Sequence, residues 1–134
     1  MNRLEVSIKQ VMNSGGIIMV DMTIAGLTMT ALLIDAPYNP EWLKQGNLIF
    51  AVFKETEVSI AKDFSGKISL RNKIPCRVSY IERGDLMSII HMTFMEYQIQ
   101  SAITTRSVDM LDLKKDDEVT AMIKANEITL MQKI

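Results

Sequence analysis

Residues 43–60 read LKQGNLIFAVFKETEVSI, and residues 113–130 read LKKDDEVTAMIKANEITL. The two stretches align without a gap at an offset of 70 residues and share five identities, and most of their remaining apolar positions are apolar in both. Weaker matches continue upstream, where Met22-Thr23 falls on Met92-Thr93. A repeat of this length indicates that the chain contains two homologous modules.

Each module shows the alternation of apolar and polar residues that is typical of β-strands. In the first module Ile18, Val20 and Met22 recur at every second position, and Asn13-Ser14-Gly15-Gly16 supplies turn-forming residues ahead of this run. Short helical turns are expected at residues 39–44 and 107–114. The sequence therefore predicts an all-β fold of two tandem, small OB-type five-stranded barrels, each with one short helical turn, in residues 1–64 and 65–134.

The fourth strand of each module carries apolar side chains on its predicted outer face. Phe50 and Val52 take these positions in the first module, and Met122 does so in the second. Exposed apolar side chains on a small module are better explained by an interface than by open solvent. We therefore expect a homo-oligomer.

The composition excludes several classes of protein. The 15 Lys and Arg residues nearly cancel the 16 Asp and Glu residues, and aromatic residues make up 6% of the chain. A nucleic-acid binder would show a cationic excess and stacking aromatics, so an OB-fold nucleic-acid binder is only a distant alternative. With Cys76 and His91 as the single cysteine and histidine, a disulfide scaffold is excluded, and a metal cluster or a Ser/His/Asp set is hard to assemble. We expect neither enzyme activity nor a resident metal.

The longest apolar stretch without a charge is too short to span a bilayer. It runs from Met22 to Ile34, which is 13 residues, whereas a transmembrane helix needs about 20. The amino-terminal residues also lack the apolar core of a signal peptide. We expect a cytoplasmic protein that does not insert into membranes.

A local excess of positive charge lies at the start of the second module. Such a run either discourages edge pairing of a solvated strand or binds an anion. Within it, Ser69-Leu70-Arg71-Asn72 directly precedes a predicted strand, and Ile123-Lys124-Ala125 follows later in the same module. Four cations occur between residues 66 and 81 without an intervening Asp or Glu: Lys67, Arg71, Lys73 and Arg77.

In these features the second module resembles the Mop/TOBE family of molybdate-binding modules. The family signature of Ser-x-Arg-Asn at the entry to the first strand is matched by residues 69–72. Its later pattern of acidic turn, strand, Ile-Lys-Ala and strand is matched by residues 116–128. Two copies in one short chain are similar to the tandem di-Mop arrangement. The resemblance implies molybdate or tungstate as the bound ligand, held through its oxygens by hydrogen-bond donors and a cation.

The resemblance also implies which residues bind the oxyanion. The Ser-x-Arg-Asn stretch would present backbone amides and the Ser69 hydroxyl. Thr104 and Ser107 match the family's second hydroxyl-bearing loop, and Lys124 would supply charge, often across a subunit boundary. The implied binding set is Ser69, Leu70, Arg71, Asn72, Thr104, Ser107 and Lys124, with Lys54 as a further candidate.

The first module departs from the family pattern. Only Met1-Asn2-Arg3 precede its first strand, and residues 33–37 replace the hydroxyl loop with a sequence in which Asp35 would repel an anion. Lys54 is retained. We therefore interpret the first module as mainly structural, or as lending Lys54 to a site whose amides come from another chain.

The function implied by the resemblance is intracellular binding of molybdate or tungstate for molybdenum storage, homeostasis or delivery, with sites at the subunit interfaces of a homo-oligomer. An accessory or sensing domain of a molybdate importer or of a molybdate-responsive regulator is the alternative. Contact with importer or cofactor-synthesis proteins would follow from such roles.

Overall fold

The computed structural model describes residues 1–34, 36 and 38–134, and this part of the chain is mostly β-sheet. It also contains one short helix, α1 (Thr105–Met110), and two 3-10 turns, Glu55–Glu57 and Ala125–Glu127. The strands in the described residues are β1 (Asn2–Ser14), β2 (Ile17–Ile24), β3 (Leu27–Leu33), β4 (Leu48–Phe53), β5 (Ser59–Ala61), β6 (Asn72–Glu82), β7 (Met87–Phe94), β8 (Tyr97–Thr104), β9 (Glu118–Ile123) and β10 (Thr129–Gln132).

The strands form two five-stranded antiparallel sheets. One has the order β10-β4-β1-β2-β3 and the other the order β5-β9-β6-β7-β8. This arrangement confirms the predicted all-β fold with two five-stranded units. The described helices include none that is long and apolar enough to cross a membrane.

The repeat detected in the sequence is reproduced in the details of the strands. The pairing of β1 with β2 shifts at Lys9, and the pairing of β6 with β7 shifts at Ser79, 70 residues later. A bulge bends its strand and increases the local twist, so both halves curve at the same place. Alternate residues before each bulge are buried and supply the core: Leu4, Val6 and Ile8 in β1, and Ile74, Cys76 and Val78 in β6.

Each sheet takes its fifth strand from the other half of the chain. β10 pairs with β4, and β5 pairs with β9. The first sheet therefore combines strands between residues 2 and 53 with residues 129–132, and the second combines residues 59–61 with strands between residues 72 and 123. The sequence repeat and the sheets thus have different boundaries.

The crossing between halves is anchored by buried groups. After β4, the 3-10 turn carries the chain to Val58, which is 2% exposed. Ser101 of β8, itself fully buried, donates a hydrogen bond from Oγ to the Val58 carbonyl at 2.6 Å. A 3-10 turn does not reverse the chain as a hairpin does, so the strand that follows continues onto the neighbouring sheet.

The burial of the fourth strands corrects one expectation. Val52 and Met122 are only 6% and 2% exposed, so the prediction that they face outward as an interface is wrong. They lie where the exchanged strands join β4 and β9, opposite Thr129 and Ser59, and are covered within the chain. Phe50 is half-buried, and the Arg3 guanidinium lies over its ring at 4.4 Å from the centroid.

The two expected helical turns differ. In the second half α1 forms, two residues earlier than predicted. In the first half, residues 39–44 form a turn closed by a hydrogen bond from the Leu43 N–H to the Pro40 carbonyl, at 3.1 Å, and no helix. This bond spans three residues, as in an isolated turn, rather than the four of an α-helix.

Candidate anion-binding site

Arg71 and Lys124 lie at the same end of the second sheet, each next to the last residue of the β6–β9 pairing. The β6–β9 pairing ends with Asn72 opposite Ile123. The next residues outward, Arg71 and Lys124, therefore lie at the same end of the sheet. Both residues are exposed, and no carboxylate among the described residues forms an ion pair with either. We refer to Arg71 and Lys124 as the cation pair.

The segment that leads into the cation pair is irregular and rich in donors. Residues 67–70 belong to no strand or helix, with Ser69 exposed and Leu70 half-buried. Within the described part of the chain, none of their backbone N–H groups donates a hydrogen bond to a turn, loop or side-chain acceptor. These amides are therefore available to a ligand.

The Asn72 side chain is committed to the structure rather than to a ligand. The residue is fully buried, and its Nδ2 donates to the Thr30 carbonyl at 2.9 Å and to the Ile123 carbonyl at 3.1 Å. Its Oδ1 accepts the Thr30 N–H at 2.7 Å. Only the backbone of Asn72 remains for an anion. The same bonds place the cation pair beside β3 of the first sheet.

The first module contains an equivalent pair of hydrogen bonds from an asparagine side chain, which the sequence analysis did not predict. Asn2 donates from Nδ2 to the Gln100 carbonyl at 2.8 Å, and its Oδ1 accepts the Gln100 N–H at 2.7 Å. Asn2 and Asn72 are 70 residues apart, as are Thr30 and Gln100. The identity of the two asparagines at the repeat offset was the signal that would have found it.

Thr104 and Ser107 are brought together by the start of α1, and we call them the hydroxyl pair. Thr104 caps the helix: its Oγ1 accepts the Ser107 N–H at 3.1 Å and donates to Ser107 Oγ at 2.9 Å. Threonine is a common residue at this position because it satisfies an otherwise unpaired amide. Helix capping therefore accounts for this contact.

Two further contacts hold α1 in place. Arg83 pairs with Asp109 through two parallel contacts of 2.9 Å, and the hydrogen bond from Arg83 lowers the pKa of the Asp109 carboxyl below its usual value. On the inner side, the buried hydroxyls of Ser88 and Thr105 are 2.7 Å apart. These contacts fix the position of α1 and therefore of the hydroxyl pair.

Neither residue of the cation pair lines the grooves that Thr104 and Ser107 line. Ser107 lines an open groove of about 320 Å³ together with Ser59 of β5. Ser59 lies opposite Met122, which lies opposite Lys73 in β6. The groove wall is therefore one strand spacing, about 5 Å, from β9, which ends directly before Lys124, and two spacings, about 10 Å, from β6, which begins directly after Arg71.

Lys54 occupies a different environment from Lys124. It is exposed, but its backbone N–H donates to Glu57 Oε1 at 2.9 Å. The β1–β4 pairing ends with Asn2 opposite Phe53, so the residue opposite Lys54 is Met1 rather than an arginine. The cation pair is therefore not reproduced in the first module. Asp35, expected to repel an anion there, lies outside the described residues.

The described residues hold no group of three or more His, Cys, Asp or Glu side chains that could bind a metal ion. His91 stacks on Tyr80, with ring centroids 4.1 Å apart, and its Nε2 lies 3.3 Å from Glu82 Oε1. Cys76 is 6% exposed, and burial raises the pKa of its thiol to about 12. Neither side chain is near the cation pair in the strand register, since each lies further along β6 or on β7.

The chain matches one protein-family model and two relatives whose names both refer to molybdenum. The TOBE domain model matches residues 68–130. The molybdenum import ATP-binding protein ModC of Brucella abortus (strain 2308) is 36% identical over 84 residues, which are 62% of this chain and 23% of ModC. The molybdenum transport protein ModE of Herbaspirillum seropedicae is 31% identical over 109 residues, 79% of this chain and 40% of ModE. This chain therefore spans less than half the length of either relative.

Among solved structures, a crystal structure of the cytoplasmic molybdate-binding protein ModG, with molybdate bound, superposes with a TM-score of 0.92. The alignment covers 98% of this chain and 96% of that one, at 24% sequence identity. The two proteins share a fold along their whole length. Residues 68–130 thus match the TOBE domain family, and the chain as a whole shares its fold with ModG.

Proposed function

We propose that this chain binds molybdate or tungstate and serves molybdenum storage, homeostasis or delivery. The observation that carries the proposal is the cation pair, which stands beside the available amides of residues 67–70 at one end of the second sheet. A tetrahedral dianion accepts hydrogen bonds in all directions. It is held by N–H and O–H donors and by positive charge, and it needs no metal ligands from the protein.

The donors are numerous enough for a useful affinity. The site would use the amides of Ser69, Leu70, Arg71 and Asn72, the Ser69 hydroxyl, and the Lys124 ammonium. A charge-assisted hydrogen bond contributes about 1.5–3 kcal/mol net. About five such bonds offset the desolvation of a dianion and leave micromolar or tighter binding, about −8 kcal/mol.

We further propose that the hydroxyl pair completes the site from a second copy of the chain. The grooves that Thr104 and Ser107 line include neither Arg71 nor Lys124, which supports this. Met110 and Leu86, 79% and 83% exposed, flank the hydroxyl pair and would be covered in such a homo-oligomer. Lys54 would then lie at, or near, a neighbouring site.

The relatives support the ligand. ModG is a molybdate-binding protein, and ModC and ModE take part in molybdenum import and transport. Because the chain spans only part of ModC and ModE, an accessory or sensing domain beside an importer or regulator is the alternative, and contact with importer or cofactor-synthesis proteins belongs to the same proposal. By analogy with ModG we propose a cytoplasmic binding protein rather than an enzyme. Residues 1–64 and 65–134 are its modules, and the second carries the intact motif.

The proposal is tested by calorimetric titration of the purified protein with molybdate and tungstate, at physiological salt and in excess sulfate. We expect micromolar or tighter binding that survives sulfate. The double variant Arg71→Ala/Lys124→Ala should bind at least about 100-fold more weakly, since each cation contributes a charge-assisted bond. The double variant Lys9→Ala/Lys115→Ala removes two other exposed cations and should bind like the parent.

Two results would overturn the assignment. Unchanged affinity in Arg71→Ala/Lys124→Ala, with an unchanged circular dichroism spectrum, would exclude the site. Light scattering that shows a monomer with full affinity would exclude the interface with a second copy.

A further inference from the structure

The two modules differ in one charged residue next to the retained lysine. Residue 55, directly after Lys54, is glutamate, and residue 125, directly after Lys124, is alanine. The residues occupy equivalent positions, each at the start of a 3-10 turn that leaves the fourth strand of its module. The difference therefore places a carboxylate in the first module where the second module has only a methyl group.

The Glu55 carboxylate binds the nitrogen of Met1. Glu55 Oε2 accepts a hydrogen bond from this nitrogen at 3.1 Å, and Oε1 forms an ion pair with it. The hydrogen bond from this nitrogen lowers the pKa of Glu55 below its ordinary value, so the side chain is ionised at neutral pH. The contact joins residues 54 positions apart, at the outer end of the β1–β4 pairing.

The nitrogen that Glu55 binds has a counterpart in the candidate site. At the repeat offset of 70, Met1 corresponds to Arg71, so the nitrogen of Met1 corresponds to an amide that would donate to the oxyanion in the second module. Glu57 also takes the Lys54 N–H, at 2.9 Å. No side chain among the described residues accepts the Lys124 N–H in the same way. In the first module, carboxylates therefore already accept from the nitrogen equivalent to the Arg71 amide and from the Lys54 N–H.

We propose that Glu55 acts as a built-in anion that closes the first module to oxyanions, so that each chain binds one molybdate or tungstate, in the second module. The inference rests on the proposed function and specifies its stoichiometry and the residue that sets it. A carboxylate on the same donors excludes a dianion both by occupying its place and by charge repulsion, which is strong at hydrogen-bond distances near a protein surface. Ala125 leaves that place empty in the second module.

The experiment transfers the carboxylate to the second module. In Ala125→Glu, a carboxylate follows Lys124 as Glu55 follows Lys54, and the first module shows that this position accommodates a glutamate. We expect molybdate affinity to fall about 100-fold or more in calorimetric titration. The matched control is Ala125→Gln, which has the same size without the charge and should stay within about 5-fold of the parent. The parent should bind one molybdate per chain.

The outcomes separate this inference from the proposed function. No molybdate binding by the parent protein would overturn the proposed function and this inference with it. Binding of two equivalent anions per chain by the parent would overturn the inference alone. The inference alone would also be overturned if Ala125→Glu bound molybdate about as tightly as the parent, or if Ala125→Gln lost as much affinity as Ala125→Glu.

Discussion

Asn72 and Thr30 lie 42 residues apart, in different halves of the chain, and form two reciprocal hydrogen bonds. Thr30 donates its N–H to Asn72 Oδ1, and Asn72 Nδ2 donates to the Thr30 carbonyl. The asparagine amide therefore pairs with the backbone of β3 as a neighbouring strand would. Asn2 and Gln100 repeat the arrangement, so two side-chain amides join the sheets. The asparagine of the family motif thus has a structural role beside the candidate site.

Replacing Asn72 by alanine should lower the free energy of unfolding by about 3 kcal/mol, because two buried carbonyls and one buried N–H lose their partners together. Urea denaturation followed by circular dichroism measures this loss. The control is Asn13→Ala, at an exposed position, which should stay within about 0.5 kcal/mol of the parent. A loss below about 1 kcal/mol in Asn72→Ala would contradict the structural role.

Replacing Ser101 by alanine should loosen the exchanged strand β5. The variant leaves the buried Val58 carbonyl without its hydrogen bond, which costs about 1–3 kcal/mol. Hydrogen exchange should show faster exchange of the amides in residues 58–61 than in the parent. The equivalent residue in the first module is Ala31, which is fully buried, so alanine fits a position of this kind without strain. Exchange rates like those of the parent would show that this bond does not anchor the crossing.

Cys76 should not react with a thiol reagent in the folded protein. Its burial raises the pKa of the thiol to about 12, so thiolate is scarce at neutral pH and the sulfur is shielded from solvent. Titration with a chromogenic disulfide at about pH 8 should report almost no reactive thiol in buffer and one per chain in urea. Rapid labelling of the native protein would show that β6 opens readily or that Cys76 is exposed.

Acid should remove the stabilising effect of Asp117. Lys62 directly follows β5. Its Nζ lies 3.0 Å from Asp117 Oδ2 and also donates to the Asp112 carbonyl at 2.7 Å. The hydrogen bond from Lys62 is the main cause that lowers the pKa of Asp117 below its ordinary value of 3.8. A lowered pKa in the folded state gives stability that is present above the unfolded value and is lost as the pH falls through the folded value. The parent should therefore be more stable than Asp117→Asn at neutral pH, and the difference should disappear at about pH 2.

Chemical denaturation of both proteins across this pH range measures the effect. Asp116→Asn serves as the control, since no ion pair among the described residues involves Asp116. A difference between parent and Asp117→Asn that persists unchanged in acid would assign it to something other than the carboxylate.

Much of the fold was predictable because the relevant signals are local. Period-two alternation shows which face of a strand is buried, and a repeat shows that the pattern occurs twice, so the all-β fold and the two five-stranded units follow from such segments as residues 18–22 and 43–60. The motif in residues 69–72 and Lys124 can also be identified from the sequence. That they lie at the same end of a sheet cannot, because this depends on the register of β6 against β9.

What only the tertiary structure decided concerns partners that are distant in sequence. The exchange of β5 and β10 between the sheets and the burial of Val52 and Met122 both depend on contacts that the sequence does not show. The commitment of Asn72 to β3 has the same origin. Sequence patterns by themselves determined where apolar and polar residues alternate in the strands and where the charges lie in each module. The packing of one half on the other decided which backbone groups and charges meet, because hydrogen bonds and ion pairs depend on distance in space rather than on position along the chain.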